Sequence, residues 1–164
     1  MRQKVLHRIG YLIAIALFLC TSICAQEKDS IDWLSFEELE DSLAIKPKKV
    51  LIDFYTDWCT YCRKMDKVVF TKPAVIEALS DQFYTVRFNA ETDAIITFGG
   101  QQFINDQIGQ SRSPIHQIPQ LLALREGRFV APTLVLLDET FKVTSRYFQY
   151  MDSKKLLKAL NSSR

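Results

Sequence analysis

The fold of this chain is decided by residues 50–62, which read VLIDFYTDWCTYC. The first six residues are an apolar run with β-branched and aromatic members, and they predict a buried strand. The residues after Cys62 read RKMDKVVF and predict a helix. Cys59 and Cys62 therefore lie where a strand meets a helix N-terminus, where unpaired N–H groups and the helix dipole stabilise a thiolate. The same cysteine spacing in a loop would indicate half of a metal site instead.

The first 25 residues have the layout of a secretory signal peptide. Basic residues precede an apolar run over residues 9–19, and a short polar stretch ends at Ala25, where we expect cleavage. The apolar run is too short to span a membrane comfortably, so the mature protein is expected in the periplasm. A lipid anchor on Cys24 is the weaker alternative, because Thr21 and Ile23 do not fit the residues that precede a lipidated cysteine.

The mature chain is nearly neutral. Loss of Arg2, Lys4 and Arg8 with the signal peptide lowers the count of Lys and Arg from 21 to 18, against 19 Asp and Glu, for a net charge of about −1. No basic patch remains, so we expect no nucleic-acid partner. The composition, 48% hydrophobic and 24% charged, is typical of one globular domain, expected over residues 35–164 after a linker at 26–34.

Only two of the four cysteines belong to the mature chain. Cys20 and Cys24 lie in the export segment, which leaves Cys59 and Cys62. An exported domain that depends on disulfides for stability normally carries several, spread along the chain. One closely spaced pair is more typical of a dithiol that reacts.

The order of predicted elements indicates an α/β fold. A parallel pair of strands joined by helices and a later antiparallel hairpin predict a mixed central sheet covered by helices on both faces. The segment over residues 90–130 is irregular, with Gly99-Gly100 at the turn of a small hairpin. The predicted helices are 35–43, 63–70, 73–79, 118–125 and 152–161, and the predicted strands are 50–55, 83–89, 133–137 and 142–148.

Residues 50–62, together with Ala131-Pro132-Thr133, resemble the thioredoxin superfamily. The resemblance covers most of residues 50–160 and implies a thioredoxin-like fold, with 90–130 as an insertion between the active-site half and a hairpin that begins at a cis-proline. It also implies that Asp53 is buried and accepts a proton from the inner thiol, Cys62. An Asp that makes a local hydrogen bond at a strand end is the alternative.

The same resemblance assigns four supporting residues. Arg87 matches a lysine that lies near the buried acid in thioredoxins, and it would lower the pKa of that acid. Pro132 matches the cis-proline that faces the cysteines, and the backbone of Ala131 before it could pair with a substrate strand. Trp58 would pack beside the cysteine pair and shape the docking surface.

Residues 59–75 are similar to the C-terminal periplasmic domain of DsbD-type thiol:disulfide interchange proteins. In that domain, an acid one helical turn after the inner cysteine favours the protonated form of the outer one. Asp66 holds that position, four residues after Cys62 and on the same helix face. A solvated helix Asp is the alternative.

Some features depart from the family. Thr60-Tyr61 between the cysteines matches neither the reducing nor the strongly oxidising relatives, and Gln149 stands where a glycine usually borders the substrate groove. The 90–130 insertion is long enough to suggest a function of its own.

His116 is the only histidine of the mature chain, and we expect it at the surface. Two cysteines and one histidine are too few for a zinc site.

These features predict a periplasmic thiol:disulfide oxidoreductase that works mainly as a reductase or isomerase. Its partners would be thiols and disulfides of exported proteins and a membrane dithiol donor that reduces the pair again, because the periplasm is oxidising. We expect a monomer with no metal and no organic cofactor. The alternatives are an oxidase that donates its disulfide, and a non-catalytic module that binds partners through the insertion and the Pro132 groove.

Overall fold

A five-stranded mixed sheet forms the centre of the protein in a computed structural model, which describes residues 29–162. Across the sheet its strands follow one another in the order Trp33–Leu34, Phe83–Asn89, Lys49–Tyr55, Thr133–Leu137 and Val143–Tyr147. In chain order the elements are β1 (Trp33–Leu34), α1 (Phe36–Ile45), β2 (Lys49–Tyr55), α2 (Thr60–Val68), α3 (Pro73–Gln82), β3 (Phe83–Asn89), β4 (Ile96–Phe98), β5 (Gln101–Phe103), α4 (Gln117–Leu122), β6 (Leu124–Arg125), β7 (Arg128–Phe129), β8 (Thr133–Leu137), β9 (Val143–Tyr147) and α5 (Ser153–Ser162).

The pairing of the strands confirms the predicted mixed sheet. β2 runs parallel to β3 and antiparallel to β8, and β8 is antiparallel to β9. β2 and β8 lie in the middle of the sheet with both faces covered, which explains why their sequences are continuous apolar runs. Asp53 interrupts the run in β2, and the register of the sheet places it between Arg87 of β3 and Leu134 of β8.

Two hydrophobic cores lie on the two faces of the sheet. Because successive side chains of a strand point to opposite faces, Leu51 belongs to one core and Val50 and Ile52 to the other. The Leu51 core contains residues of α2, α3 and α5, whereas the Val50 core contains residues of α1 and α4. Helices therefore cover both faces, as predicted.

The helix starts follow the signals in the sequence. Ser35 precedes α1, its Oγ accepts from Glu38 N–H at 3.1 Å, and its own N–H donates to Glu38 Oε2 at 2.7 Å. This reciprocal pair is the predicted capping box. α3 begins at Pro73, where the missing N–H of proline costs no hydrogen bond.

Two predicted boundaries were wrong. The predicted linker at 26–34 ends in strand β1, because Trp33 pairs with Thr85 and packs edge-on against Phe70, 5.1 Å away. The predicted helix 118–125 ends at Leu122, and the chain then forms the β6–β7 hairpin. The hairpin turn has positive φ at Glu126 (50°) and at Gly127 (76°), a geometry that matches the twist of paired strands.

The insertion packs as an ordered part of the domain. Its predicted hairpin is confirmed as β4–β5, and the turn has positive φ at Gly99 and Gly100 (60° and 70°). The hairpin lies against α1, where Thr97 N–H donates to Glu37 Oε1 at 3.2 Å and the Phe98 ring meets the Phe36 ring edge-on.

The predicted signal peptide, residues 1–25, lies outside the described residues, so its cleavage site and the anchor on Cys24 stay predictions. Within residues 29–162, no helix combines the length and the apolar character that a membrane crossing requires.

Candidate active site

The cysteine pair lies at the junction of strand and helix, as predicted. Cys59 is the N-cap of α2, and Cys62 lies in the first turn of that helix. The two sulfurs form a disulfide with an S–S distance of 2.05 Å. The Cys62 N–H donates to Cys59 Sγ at 3.0 Å, so the outer sulfur accepts a hydrogen bond from the helix N-terminus. This position is suited to hold negative charge when the disulfide is reduced.

Both cysteines are buried in this disulfide form. Cys59 is only 4% exposed and Cys62 is 2% exposed. The Cys59 sulfur faces the start of α2, where the Cys62 amide donates to it. The surface around the pair is instead made by Trp58 and Tyr61, which are 63% and 60% exposed.

Asp53 is buried in β2, the strand that leads to the cysteine pair, and its burial agrees with the resemblance. It is 1% exposed, and burial is the main reason why its pKa is raised to about 7. The nearby Arg87 lowers that pKa, and the negative charge of Asp66 raises it further. Asp53 Oδ2 lies 3.5 Å from Arg87 Nε, an ion pair without hydrogen-bond geometry, and Asp53 Oδ1 has no hydrogen-bond partner among the described residues. This carboxyl group is therefore close to half-protonated near neutral pH.

Arg87 joins the two acids of the site. Its Nη2 donates to Asp66 Oδ2 at 2.6 Å, while its Nε faces Asp53. The guanidinium also lies over the Tyr55 ring, 4.3 Å from the ring centre. Asp66 is thus a half-buried, ion-paired residue rather than a solvated helix Asp. The structure brings together all three charged residues that the resemblance singled out.

Trp58 has a partner that sequence reasoning missed. Its Nε1 donates to Glu91 Oε2 at 2.9 Å, which holds the exposed ring toward the start of the insertion. The neighbouring Asp57 accepts from Asn89 Nδ2 at 3.1 Å. Glu91 is 33 positions away from Trp58, and no local pattern marks it as a contact of the active-site loop. Only the parallel pairing of β2 and β3 brings the ends of these two strands together.

The Ala131–Pro132 peptide bond is cis, in agreement with the resemblance. Pro132 directly precedes β8, whose first residue, Thr133, pairs with Phe54 of β2. Ala131 lines the same cavity as Trp58, so the segment before β8 and the cysteine loop border one space. Gln149 does not line that cavity, and is part of a second one, of about 270 Å³, with Met151 and Lys155.

The prediction that His116 lies at the surface was wrong. It is fully buried and caps α4, where its Nδ1 accepts from Ile118 N–H at 3.2 Å. Because Nδ1 is the acceptor, Nε2 carries the proton and donates to Phe103 O, also at 3.2 Å. Burial is the main cause of its lowered pKa, so the ring is neutral at pH 7. His116 therefore stabilises the insertion.

Across residues 29–162, no three His, Cys, Asp or Glu side chains come together as metal ligands. The arrangement of charged and thiol groups around α2 is instead one that can exchange protons and electrons. It combines a buried dithiol or disulfide, a buried acid of raised pKa and a bridging arginine.

Known proteins resemble this chain in sequence and in structure. A 41-residue segment is 49% identical to the thiol:disulfide interchange protein DsbD of Pseudomonas fluorescens, and it covers 25% of this chain but only 7% of that protein. Among solved structures, DsbH oxidoreductase aligns with a TM-score of 0.58 and 15% identity over 87% of this chain and 90% of that one. The reduced C-terminal domain of DsbD from Neisseria meningitidis aligns with a TM-score of 0.51 and 18% identity over 77% and 90%.

These structural likenesses, at 15% and 18% identity, show the fold alone. The family is shown by the sequence itself, because residues 36–164 match the family model of the thioredoxin-like domain. The matched range spans the cysteine pair, Asp53 and Pro132. The chain belongs to the thioredoxin-like domain family.

Proposed function

We propose that this protein is a periplasmic thiol:disulfide oxidoreductase that acts on exported proteins, mainly as a reductase or isomerase. The observation that carries the proposal is the Cys59–Cys62 disulfide at the N-terminus of α2, with the buried Asp53 of raised pKa in the preceding strand. A purely structural disulfide requires no buried acid whose pKa lies near 7. The local similarity to DsbD, a thiol:disulfide interchange protein, supports the same assignment.

In the reducing direction, the Cys59 thiolate attacks one sulfur of a substrate disulfide. A bond forms between Cys59 and the substrate, and the second substrate sulfur leaves as a thiolate that takes up a proton. Cys62 then loses its proton and attacks Cys59 Sγ, which breaks the mixed disulfide and releases the first substrate sulfur. Two electrons have passed to the substrate, and the protein is left with the Cys59–Cys62 disulfide.

Asp53 is the base that we assign to the second step. Cys62 is 2% exposed, so its proton needs an acceptor inside the protein. A carboxyl group with a pKa of about 7 is matched to accept and release a proton at neutral pH. Arg87 lowers the pKa of that carboxyl group, and Asp66 raises it.

The oxidised protein must be reduced again for a second turnover. In the periplasm, a dithiol donor held in the membrane would supply the two electrons, because no soluble thiol buffer keeps that compartment reducing. This step follows from the predicted signal peptide and from the direction of electron flow proposed above.

Insulin reduction, driven by excess dithiothreitol, tests the proposed activity. We expect turnover by the wild type and a loss of at least about 100-fold in Cys59→Ser and in Cys62→Ser, with circular dichroism as the control for folding. Equal turnover by the wild type and Cys59→Ser would contradict the catalytic assignment. No turnover by the folded wild type would favour the non-catalytic module.

The redox potential tests the direction of electron flow. Equilibration with glutathione should give a value near the roughly −270 mV of thioredoxins for a reductase, whereas roughly −120 mV would indicate an oxidase that donates its disulfide.

The role of Asp53 is tested by the rate at which Cys62 resolves a mixed disulfide. We expect Asp53→Asn to slow this step by about 100-fold at pH 7. An unchanged pH–rate profile would remove Asp53 from the mechanism.

A further inference from the structure

A cavity of about 370 Å³ lies between the segment before the cysteine pair and the insertion. Trp58, which precedes Cys59, and Ala131, which precedes the cis-proline, contribute to it from the active-site side. The other lining residues belong to the insertion. The volume of the cavity falls in the range of about 300–1,000 Å³ that is usual for ligand sites. The insertion residues that line it are Glu91, Gln107, Ser113, Ile115, Gln120, Leu124, Gly127, Arg128 and Phe129.

The wall of the cavity is fixed by side-chain hydrogen bonds to the backbone. Asn105 is buried, and its Nδ2 donates to Thr92 O at 3.1 Å and to Pro114 O at 3.0 Å. Gln107 Oε1 accepts from Ile115 N–H at 3.1 Å, and Gln120 Nε2 donates to Ile115 O at 2.6 Å. The loop that contains Asn105, Gln107 and Ile115 is therefore held in one conformation in the free protein, which reduces the conformational entropy lost on binding.

Two charged side chains of opposite sign line the cavity, Glu91 and Arg128. The Glu91 carboxylate accepts a hydrogen bond from Trp58 Nε1, whereas the Arg128 side chain has no hydrogen bond or ion pair among residues 29–162. Arg128 is also paired across the β6–β7 hairpin with Arg125, a second exposed cation. Like charges directly opposite each other destabilise a hairpin, so a negative group beside Arg128 would be favourable.

We propose that this cavity is a specificity subsite for the substrate protein. It receives the side chains that flank the reacting cysteine of the substrate, and it prefers an acidic one because of Arg128. The mixed lining, with apolar groups from Leu124 and Phe129 beside the polar ones, suits a peptide, which presents both an amide backbone and side chains. The proposal rests on the proposed function, since it defines which disulfides that site selects.

The test uses the reduced full-length mature protein and short peptides whose single cysteine is joined to 2-thiopyridine. Attack by Cys59 on the peptide sulfur releases 2-thiopyridone, which is followed by absorbance. The peptides carry Glu, Gln or Lys at the two positions on either side of the cysteine. We expect the Glu peptides to react about tenfold faster than the Lys peptides at low salt, with a smaller ratio at high salt.

Two charge reversals in the insertion separate the subsite from a general charge effect. Arg128→Glu should invert the order of the Glu and Lys peptides. Arg112→Glu makes the same change of charge at an exposed residue that does not line the cavity, and it should leave the order unchanged. The same Glu-to-Lys ratio in Arg128→Glu as in the wild type, or an inversion by Arg112→Glu, would overturn the proposal.

A variant that fills the cavity gives an independent arm. Ser113 is exposed on the cavity wall, so Ser113→Trp should slow all peptides severalfold but leave the reaction with dipyridyl disulfide unchanged. That small neutral disulfide has the same leaving group and no flanking residues. Equal slowing of both substrates would overturn the subsite. A wild type that does not react with dipyridyl disulfide at all would instead contradict the proposed function on which the subsite rests.

Discussion

At the scale of single residues, the burial of Asp53 links stability to pH. Its folded pKa is about 7, against an ordinary value of 3.8, so the folded protein holds this proton more tightly than the unfolded chain does. The stabilising contribution is complete below about pH 4, and it is lost as the pH rises through 7. Arg87 lowers this pKa and so reduces the free-energy cost of ionising the buried Asp53, whereas Asp66 raises the pKa and increases that cost.

Asp53→Asn should therefore stabilise the protein in alkaline solution. Asn cannot ionise, so we expect the free energy of unfolding to rise relative to the wild type by on the order of 4 kcal/mol at pH 8, and by little at pH 3. Urea denaturation of the oxidised proteins at both pH values measures the difference. Asp81→Asn, at an exposed position on α3, is the control and should show no such pH dependence. A destabilised Asp53→Asn at pH 8 would contradict the raised pKa.

Removal of the Arg87 charge and removal of the Asp66 charge should shift the Asp53 pKa in opposite directions. Arg87→Met removes the cation that lowers this pKa, so the pKa should rise. Asp66→Asn removes a negative charge that raises it and leaves Arg87 paired with Asp53 alone, so the pKa should fall. Titration of the Asp53 carboxyl carbon by NMR measures both variants. Shifts in the same direction would show that the three charges do not act as one network.

At the scale of elements, His116 fastens α4 to the β4–β5 hairpin. One ring nitrogen caps α4 at Ile118, and the other bonds the carbonyl of Phe103 in β5. Burial lowers its pKa below the ordinary 6.5, so the unfolded chain binds this proton more tightly. The stabilising contribution is therefore complete above pH 6.5, and it is lost as the pH falls below that value.

His116→Asn should separate the cap from this pH effect. The Asn oxygen can still accept from Ile118 N–H, while the bond to Phe103 is lost, so we expect a cost of about 1–2 kcal/mol at pH 8. The loss of stability between pH 6.5 and pH 5 should become smaller than in the wild type. Urea denaturation across this range tests the expectation, with His116→Ala as a reference that also loses the cap. An unchanged pH slope in His116→Asn would mean that another group titrates.

The elements that were predicted correctly are those with strong local signals. The capping box at Ser35, the proline that opens α3 and the Gly99-Gly100 turn each depend on residues a few positions apart. The β6–β7 hairpin was missed because residues up to Arg125 have good helix propensity, and only Glu126 with positive φ reveals the turn. β1 was missed because two residues carry too short a pattern, and its pairing with β3 depends on residues some 50 positions away.

At the scale of the whole molecule, the insertion and the active-site half form one surface. Trp58 reaches Glu91, Ala131 borders the same cavity, and Arg87 connects strand β3 with helix α2. A substrate protein that approaches the disulfide would therefore meet the insertion at the same time. This geometry is the basis of the proposal that residues 90–130 take part in substrate selection.

The sequence alone determined the order of the main helices and of the four longer strands, and the position of the cysteine pair, because these follow from local hydrophobic patterns and from the Cys-x-x-Cys motif. The burial of Asp53 was implied only by the resemblance of residues 50–62 to a known family. The tertiary structure decided the low exposure of Cys59, the buried and neutral state of His116 and the Arg87 bridge between Asp53 and Asp66. It also decided the cavity between Trp58, Ala131 and the insertion, whose lining residues span positions 58 to 131. Exposure, ion pairing and cavity shape depend on how distant segments pack against one another, and no local stretch of sequence contains that information.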